Sequence, residues 1–512
     1  MRYLFSLICL FSSINLKGQE RNQLENISDS KTKVALEQLR EFIALPNDAN
    51  FLEDIDKNIA WLETAFKEQN FETKVLETTN TPLFFAERKY PNATSTVLFY
   101  MHFDGQSVDK SKWSQQDPYK STLRERSEDG KWETMDWEKA EGEINPDWRI
   151  FGRSASDDKG PIVMLLNAIA AMDENKMEGA VNIKVVLDGE EEKGSRQLEM
   201  AVEKYGDILS ADHMIINDGP MHLSGEPTVI FGCRGNVTIN ITAYGPKSHQ
   251  HSGHYGNYAP NPVFRLSQLL ASMKDEDGRV IIDGYYDGIS FDAEARAIMA
   301  AVPDDVGLIH KTIGIAEPEK VGNNYQEALQ YPSLNVRGIS AAWVGKEART
   351  IVPAEALAAI DMRLVPESDP NRLIDLVKKH IEDKGYLVLD RAPTDAERLK
   401  YPKIVQLEAS RKATMPFRTD VNSPTGQWVQ KAMLDGWGKD PIKIRIMGGT
   451  VPITTFINGL DIPAVIVPLV NADNNQHSPD ENLRVGNITN GIRTYMSILM
   501  QPIDAPLTES KR

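Results

Sequence analysis

The sequence predicts an α/β fold: a mixed sheet with helices on both faces, carrying a smaller inserted α+β domain. Three observations lead there. Continuous apolar runs such as Thr96–Met101, Val181–Leu187 and Ala464–Leu469 read as strands buried on both faces. Helical patterns alternate with those runs. From Thr228 the pattern changes to strand, helix, strand, strand, helix, strand, which suits a small α+β unit.

The chain has 512 residues, enough for more than one domain. A net charge of −17 argues against nucleic acid or an anionic membrane surface as partner. Tyr3–Phe11 is an apolar run behind Arg2, too short to span a membrane, and reads as a leader ending near Gly18. Export to a periplasm or the medium is the expectation, with no membrane anchor. Removal of the leader takes Cys9 and leaves Cys233 as the one cysteine, so no intrachain disulfide can form. A thiolate cluster is excluded with it, and any metal must use His and carboxylate. Cys233 itself reads as a small buried residue.

Two amphipathic helical patterns come first, Thr32–Ala44 and Asn50–Gln69, followed by strands over Phe71–Leu76 and Leu83–Glu87. The strand Thr96–Met101 ends in His102-Phe103-Asp104. Ligands of open α/β sheets bind beyond the carboxyl ends of strands. Residues 107–149 form a long polar insertion with four tryptophans, expected to frame a site entrance. Gly152–Pro161 follows, with Asp157 and Asp158 just ahead of a helix that begins near Pro161. Proline suits a first helical turn, and negative charge is favoured at a helix N-terminus. Taken alone, this stretch reads equally as a solvated cap.

The strand Val181–Leu187 ends in Asp188-Gly189-Glu190-Glu191-Glu192, and His213–Ile216 ends in Asn217-Asp218. One polar tip is noise. Four in order point to one convergent site at the carboxyl edge of the sheet. Beyond it, Gly235–Ala243, Leu334–Val344, Ala356–Val365 and Lys403–Leu407 read as strands, and Val263–Met273 and Pro370–Lys384 as helices. The expected division is a leader over 1–18, a first part of the larger domain over 19–232, the insertion over 233–412, and a second part over 413–512. That last part holds a helix over Asn422–Leu434, strands over Lys443–Ile446 and Ala464–Leu469, and a closing helix over Asn490–Met500. His213 is expected at the surface, His310 and His380 on solvated helices, and His222, His249 and His254 have no assigned role.

The tips, taken in order, resemble the co-catalytic zinc exopeptidase family of carnosinases, cytosolic dipeptidases, aminoacylases and acetylornithine deacetylases. The segments that carry the resemblance are His102-x-Asp104, Gly152-Arg153-x-x-x-Asp157-Asp158-Lys159-Gly160, Gly189-x-Glu191-Glu192-x-Gly194-Ser195, Asp218, His251-Ser252-Gly253, Met362–Pro366, Gly448-Gly449-Thr450 and His477-Ser478-Pro479. Asp157 and Asp158 can exchange roles, as can neighbours within Glu190–Glu192. Alignment on Lys159-Gly160 and Gly194-Ser195 selects Asp157, Glu191 and Glu192.

The resemblance implies two divalent ions, Zn2+ or else Mn2+ or Co2+, bridged by Asp157. His102 and Asp218 complete one site, Glu192 and His477 the other. It further implies a hydroxide nucleophile held between the metals, with Glu191 as general base and Asp104 orienting His102. The inserted domain is then a lid that also dimerises. In it His251 stabilises the oxyanion, while Arg363, Gly448, Gly449, Thr450 and Asn261 hold the substrate carboxylate. The implied reaction is amide hydrolysis of dipeptides or short peptides by a homodimer. The alternatives are an N-acyl-amino-acid deacylase with the same metals, or an exported binding protein that lost catalysis. Ser154 stands where the family usually has glycine. Ile446 and Met447 precede Gly448 where dipeptidases commonly have Arg-Glu, and the apolar pair points to a bulky or apolar substrate side chain.

Overall fold

The computed structural model describes residues 2–410 and 412–503, with side chains from residue 18 onward. Residues 1–17 of the expected leader therefore lie outside the described side chains. Among the described residues no helix is long and apolar enough to cross a membrane. The chain divides into two compact units. One comprises Met1–Phe231, Thr419–Ile444 and Thr455–Arg512, the other Gly232–Arg418 and Arg445–Thr454.

The first unit is built on an eight-stranded mixed sheet. In spatial order its strands are Glu72–Leu76, Leu83–Arg88, Asn182–Asp188, Thr96–His102, His213–Ile216, Ala464–Ile466, Thr228–Ile230 and Ile442–Ile444. The four central strands, from Asn182–Asp188 to Ala464–Ile466, run parallel. Their near-continuous apolar sequences match their burial: Val97 to Met101 are all inaccessible, as are Val185 to Leu187. Because the strands are parallel, their carboxyl ends share one edge, and His102 pairs directly with Asp188 there.

Helices Lys159–Glu174 and Val485–Met500 pack on each other and on the first helix, Arg2–Ile43. Lys159–Glu174 is buried on nearly every side, as its apolar character all round requires. The first helix is much longer than the predicted Thr32–Ala44, since no proline interrupts the polar stretch ahead of Thr32.

The long polar insertion over 107–149 extends the fold locally with a small sheet. Strands Thr122–Arg126, Trp132–Met135 and Arg149–Phe151 join Asn482–Arg484 in a four-stranded antiparallel sheet. Stacked arginines hold it, with Arg149 4.7 Å above the Trp132 ring and Arg124 4.2 Å above Phe151. His213 also departs from expectation. It is buried, its Nδ1 lies 2.8 Å from Thr425 Oγ1, and its ring packs against Trp428.

The second unit is a five-stranded sheet in the order Asn335–Ser340, Glu355–Leu364, Gly235–Tyr244, Ile404–Ala409, Leu387–Leu389. Glu355–Leu364 alternates between buried and half-exposed positions along its length, as a strand covered on one face does. Helices Pro262–Ala271 and Pro370–Asp383 supply the apolar cover through Leu266, Leu269, Leu373 and Val377. Each begins with proline at its first turn and an Asn261 or Asp369 cap. Asn335–Ser340 is an edge strand exposed throughout.

Candidate metal centre

The carboxyl edge of the parallel strands gathers the predicted polar tips. His102 ends its strand, Glu191 and Glu192 follow Asp188 in a short 3-10 turn, and Asp218 lies two residues past Ile216. His477 stands on the loop after the last parallel strand. Two groups of donor atoms form, His102 with Glu191 and Asp218, and Asp157 with Glu192 and His477; within each group all ligand atoms lie within 4.8 Å of one another.

Asp157 joins the groups. Its Oδ1 lies 2.8 Å from His102 Nε2 and its Oδ2 3.1 Å from His477 Nε2. His477 Nε2 is also 3.1 Å from Glu192 Oε2. Asp158, the other register, points elsewhere and accepts the backbone N–H of His102 at 3.3 Å. Asp104 lies behind the site. Its Oδ1 is 3.3 Å from His102 Nδ1, and its carboxylate accepts the backbone N–H groups of Glu191 (3.0 Å) and Glu192 (3.2 Å). One buried carboxylate thus fixes both the imidazole and the acidic turn.

Electrostatics explain why this edge suits cations. Burial pushes Glu191 well above the usual carboxyl range, reinforced by Asp218, Glu192 and Asp157 against the pull of His102. Burial and the Asp157 charge raise Asp218 to about 6. Burial raises Asp104 to about 7 against its bond with His102. Asp157 moves the other way: burial opposes its charge, but hydrogen bonds from His102 and His477 outweigh it. Hydrogen bonds to Asp157 and Glu192 raise His477 to about 10. Four carboxylates thus crowd around two imidazoles. Two divalent ions fit the excess negative charge, and the N/O donor set is one that zinc, manganese or cobalt accepts.

Ser154 sits at φ +64, in the left-handed region that favours glycine. That explains why a glycine is usual there. The serine is held by Asn47 Nδ2, which donates to its Oγ at 2.9 Å. The sequence reading assigned no role to Glu481, Lys159 or Gln106. Gln106 Nε2 donates to Glu192 Oε2 at 2.8 Å. Lys159, fully buried, donates to the carbonyls of Phe42 (2.8 Å) and Leu45 (2.7 Å). A run Asp-Asp-Lys-Gly marks Lys159 as unusual, but its acceptors are distant in sequence.

The second unit holds the remaining candidates. Arg363 Nη1 donates to Thr450 Oγ1 at 2.7 Å, and Thr450 donates onward to the carbonyl of Arg234 at 2.7 Å. Arg234 is a further cation at this loop. Its backbone N–H donates to the carbonyls of Met447 and Gly449, its guanidinium donates to the Tyr331 carbonyl at 2.6 Å, and burial together with the Arg363 charge lowers its pKa to about 10. Gly448 and Gly449 give the loop its backbone, with Leu329 3.3 Å from where a Gly448 side chain would begin. Ile446 is fully buried and lines no open surface. Asn261 caps its helix, Oδ1 accepting Val263 N–H at 2.9 Å. His251 is exposed and its Nδ1 accepts Gly253 N–H at 3.0 Å, which leaves Nε2 to carry the proton in the neutral ring.

Known proteins share this arrangement of the chain. Residues 98–501 match peptidase family M20/M25/M40. The chain is 27% identical over 502 residues to the Cys-Gly metallodipeptidase DUG1 of Candida albicans, covering 92% of this chain and 94% of that one. It is 27% identical over 436 residues to the Beta-Ala-His dipeptidase of Mus musculus, covering 82% and 80%. Among solved structures, an M20 family metallo-carboxypeptidase from Sulfolobus solfataricus aligns with a TM-score of 0.71 at 28% identity, over 91% of this chain and 98% of that one. Human carnosine dipeptidase 1 shares the fold with a TM-score of 0.71 at 22% identity, over 94% and 98%. The match spans every residue of the polar edge from His102 to His477, and the chain belongs to peptidase family M20/M25/M40 as a metal-dependent hydrolase of the dipeptidase type.

Proposed function

We propose that this protein hydrolyses the amide bond of dipeptides or other short peptides with a free C-terminal carboxylate. The observation that carries the reading is Asp157, whose two oxygens each face a different histidine. His102, Asp157 and Asp218 hold one divalent ion, and Asp157, Glu192 and His477 the other, with zinc the ion proposed. When bound, the ions supply Lewis acidity towards the scissile carbonyl and acidify water.

The chain's own groups do the rest. Asp104 holds His102 Nδ1 so that Nε2 faces the centre. Glu191 takes the proton of the attacking water as the C–O bond forms, and passes it to the amide nitrogen as the C–N bond breaks. Its burial among carboxylates raises its proton affinity, which suits a group that carries a proton between two steps. The Nε2–H of His251 is proposed as a donor to the oxyanion. Arg363, with Thr450, the Gly448-Gly449 backbone, Asn261 and the neighbouring charge of Arg234, is proposed to receive the substrate carboxylate. Export rests on the leader-like Tyr3–Phe11 run. A homodimer through the second unit is supported by its exposed edge strand Asn335–Ser340, where Ile339 is 59% accessible.

Amine release from a panel of dipeptides and N-acyl amino acids, with and without chelator, tests the reading. Chelator-sensitive cleavage of dipeptides is the expected result. Cleavage of acyl substrates alone would move the protein to the deacylases.

A further inference from the structure

His477 and Asp157 arrive from loops more than 300 residues apart, and one side chain joins the loops. Glu481, four residues past His477, is fully buried. Its Oε2 accepts from Arg153 Nη1 (2.7 Å) and Ser154 N–H (2.9 Å). Its Oε1 accepts from Ser156 N–H (3.0 Å), Ser156 Oγ (2.9 Å) and Asp157 N–H (3.0 Å). Three backbone N–H groups of the Asp157 turn therefore end on one carboxylate. The loops are also tied by Gly152 N–H to the Glu481 carbonyl at 3.0 Å and by Arg153 Nη2 to the Ser478 carbonyl at 3.5 Å.

The backbone on both sides needs such a tie. Ser154 (φ +64), His477 (φ +57) and Asp480 (φ +59) all occupy the left-handed region. Non-glycine residues stay there only where their surroundings over-determine them. Five donors also saturate the acceptor capacity of a carboxylate. A glutamine in its place would turn an NH2 group towards at least two of those donors.

We propose that Glu481 is a positioning residue: it sets Asp157 and His477 at the separation that lets one carboxylate serve both ions. The proposal rests on the reading of Asp157 and His477 as ligands. Glu481 acts through the backbone of one ligand and the loop of the other, and touches neither ring nor ligand oxygen. Groups behind a metal's ligands typically contribute about 10–100-fold in metal affinity or activity.

The test uses full-length wild type, Glu481→Gln and Ser156→Ala. Each is stripped of metal and equilibrated against buffered Zn2+. Bound zinc, kcat and KM for a cleaved dipeptide, and the Tm of the metal-free protein are then measured. Wild type is expected to bind two ions. Glu481→Gln is expected to keep one and to bind the second at least about tenfold more weakly, with kcat down at least about tenfold and KM little changed. Ser156→Ala, which removes one donor and keeps the carboxylate, is expected to weaken the second ion a few-fold at unchanged Tm. It decides the matter if Glu481→Gln does not fold. Wild-type affinity for both ions in the variants, with only Tm lowered, would overturn the proposal. Wild type that takes up no second ion would instead overturn the two-ion reading beneath it.

Discussion

At the scale of single residues, identical acids diverge by environment. Asp157, buried, is held charged by two imidazoles, whereas Glu191 and Asp218, half-buried beside it, are pushed towards the protonated form. Glu191→Gln keeps the volume and removes the proton carrier. It is expected to leave bound zinc unchanged and to lower kcat by about 10²–10⁴-fold; an active variant would refute the base assignment. The raised Asp218 has a pH consequence. Without an ion it keeps its proton up to about 6, so zinc must displace that proton at lower pH. His477, raised to about 10, must also give up its proton, so apparent zinc affinity is expected to fall by about tenfold per pH unit already below about 10, and more steeply, by a further tenfold per unit for the Asp218 proton, below about 6. A flat profile between pH 5 and 7 would contradict the assignment. Ser154 gives a stability prediction. Ser154→Val, β-branched at φ +64, should cost about 2–3 kcal/mol. Ser154→Gly should stay within about 1 kcal/mol, since relief of strain offsets the lost Asn47 bond.

Elements show which parts of this design a sequence reveals. The parallel strands were legible because burial on both faces demands continuous apolar runs, and a polar residue directly after such a run stands out. His102, the acidic tip that holds Glu191 and Glu192, and Asp218 stood out that way. The sheet of residues 122–151 was not legible, because its strands are short and polar and its cohesion comes from arginines stacked on distant aromatics. The short helices Ala293–Ala301, Val306–Ile313 and Tyr325–Ala328 offered too few turns for a period to show. Glu481 carries no signal of its own in the sequence, and only tertiary structure surrounds it with donors. Lys159 belongs with it. At the start of one helix, it binds the Phe42 carbonyl in the last turn of another and the Leu45 carbonyl just beyond it. Lys159→Met strands the Leu45 carbonyl and leaves Phe42 only the Leu45 N–H, and is expected to cost about 1–3 kcal/mol, read as a lowered Tm. An unchanged Tm would mean that water replaces the ammonium there.

For the whole molecule, one unit carries the candidate metal ligands and the other the arginine loop, each organised around its own sheet. The order of motifs along the chain made the family legible, since each motif alone is short and common. Substrate preference was less so. Of the pair that pointed to an apolar substrate side chain, Ile446 is packed into the interior, while Met447 is half-exposed. The exposed edge strand Asn335–Ser340 bears on assembly. Sedimentation is expected to give a dimer, and Ile339→Lys to shift it towards monomer.

The central claim is that Asp157 joins two ion sites into one hydrolytic centre, and the direct test is zinc stoichiometry against dipeptide hydrolysis in wild type and Asp157→Asn. Two ions per chain and chelator-sensitive turnover in wild type, with both ions weakened and turnover lost in the variant, is the predicted result. Full metal content or full activity in Asp157→Asn would contradict the account.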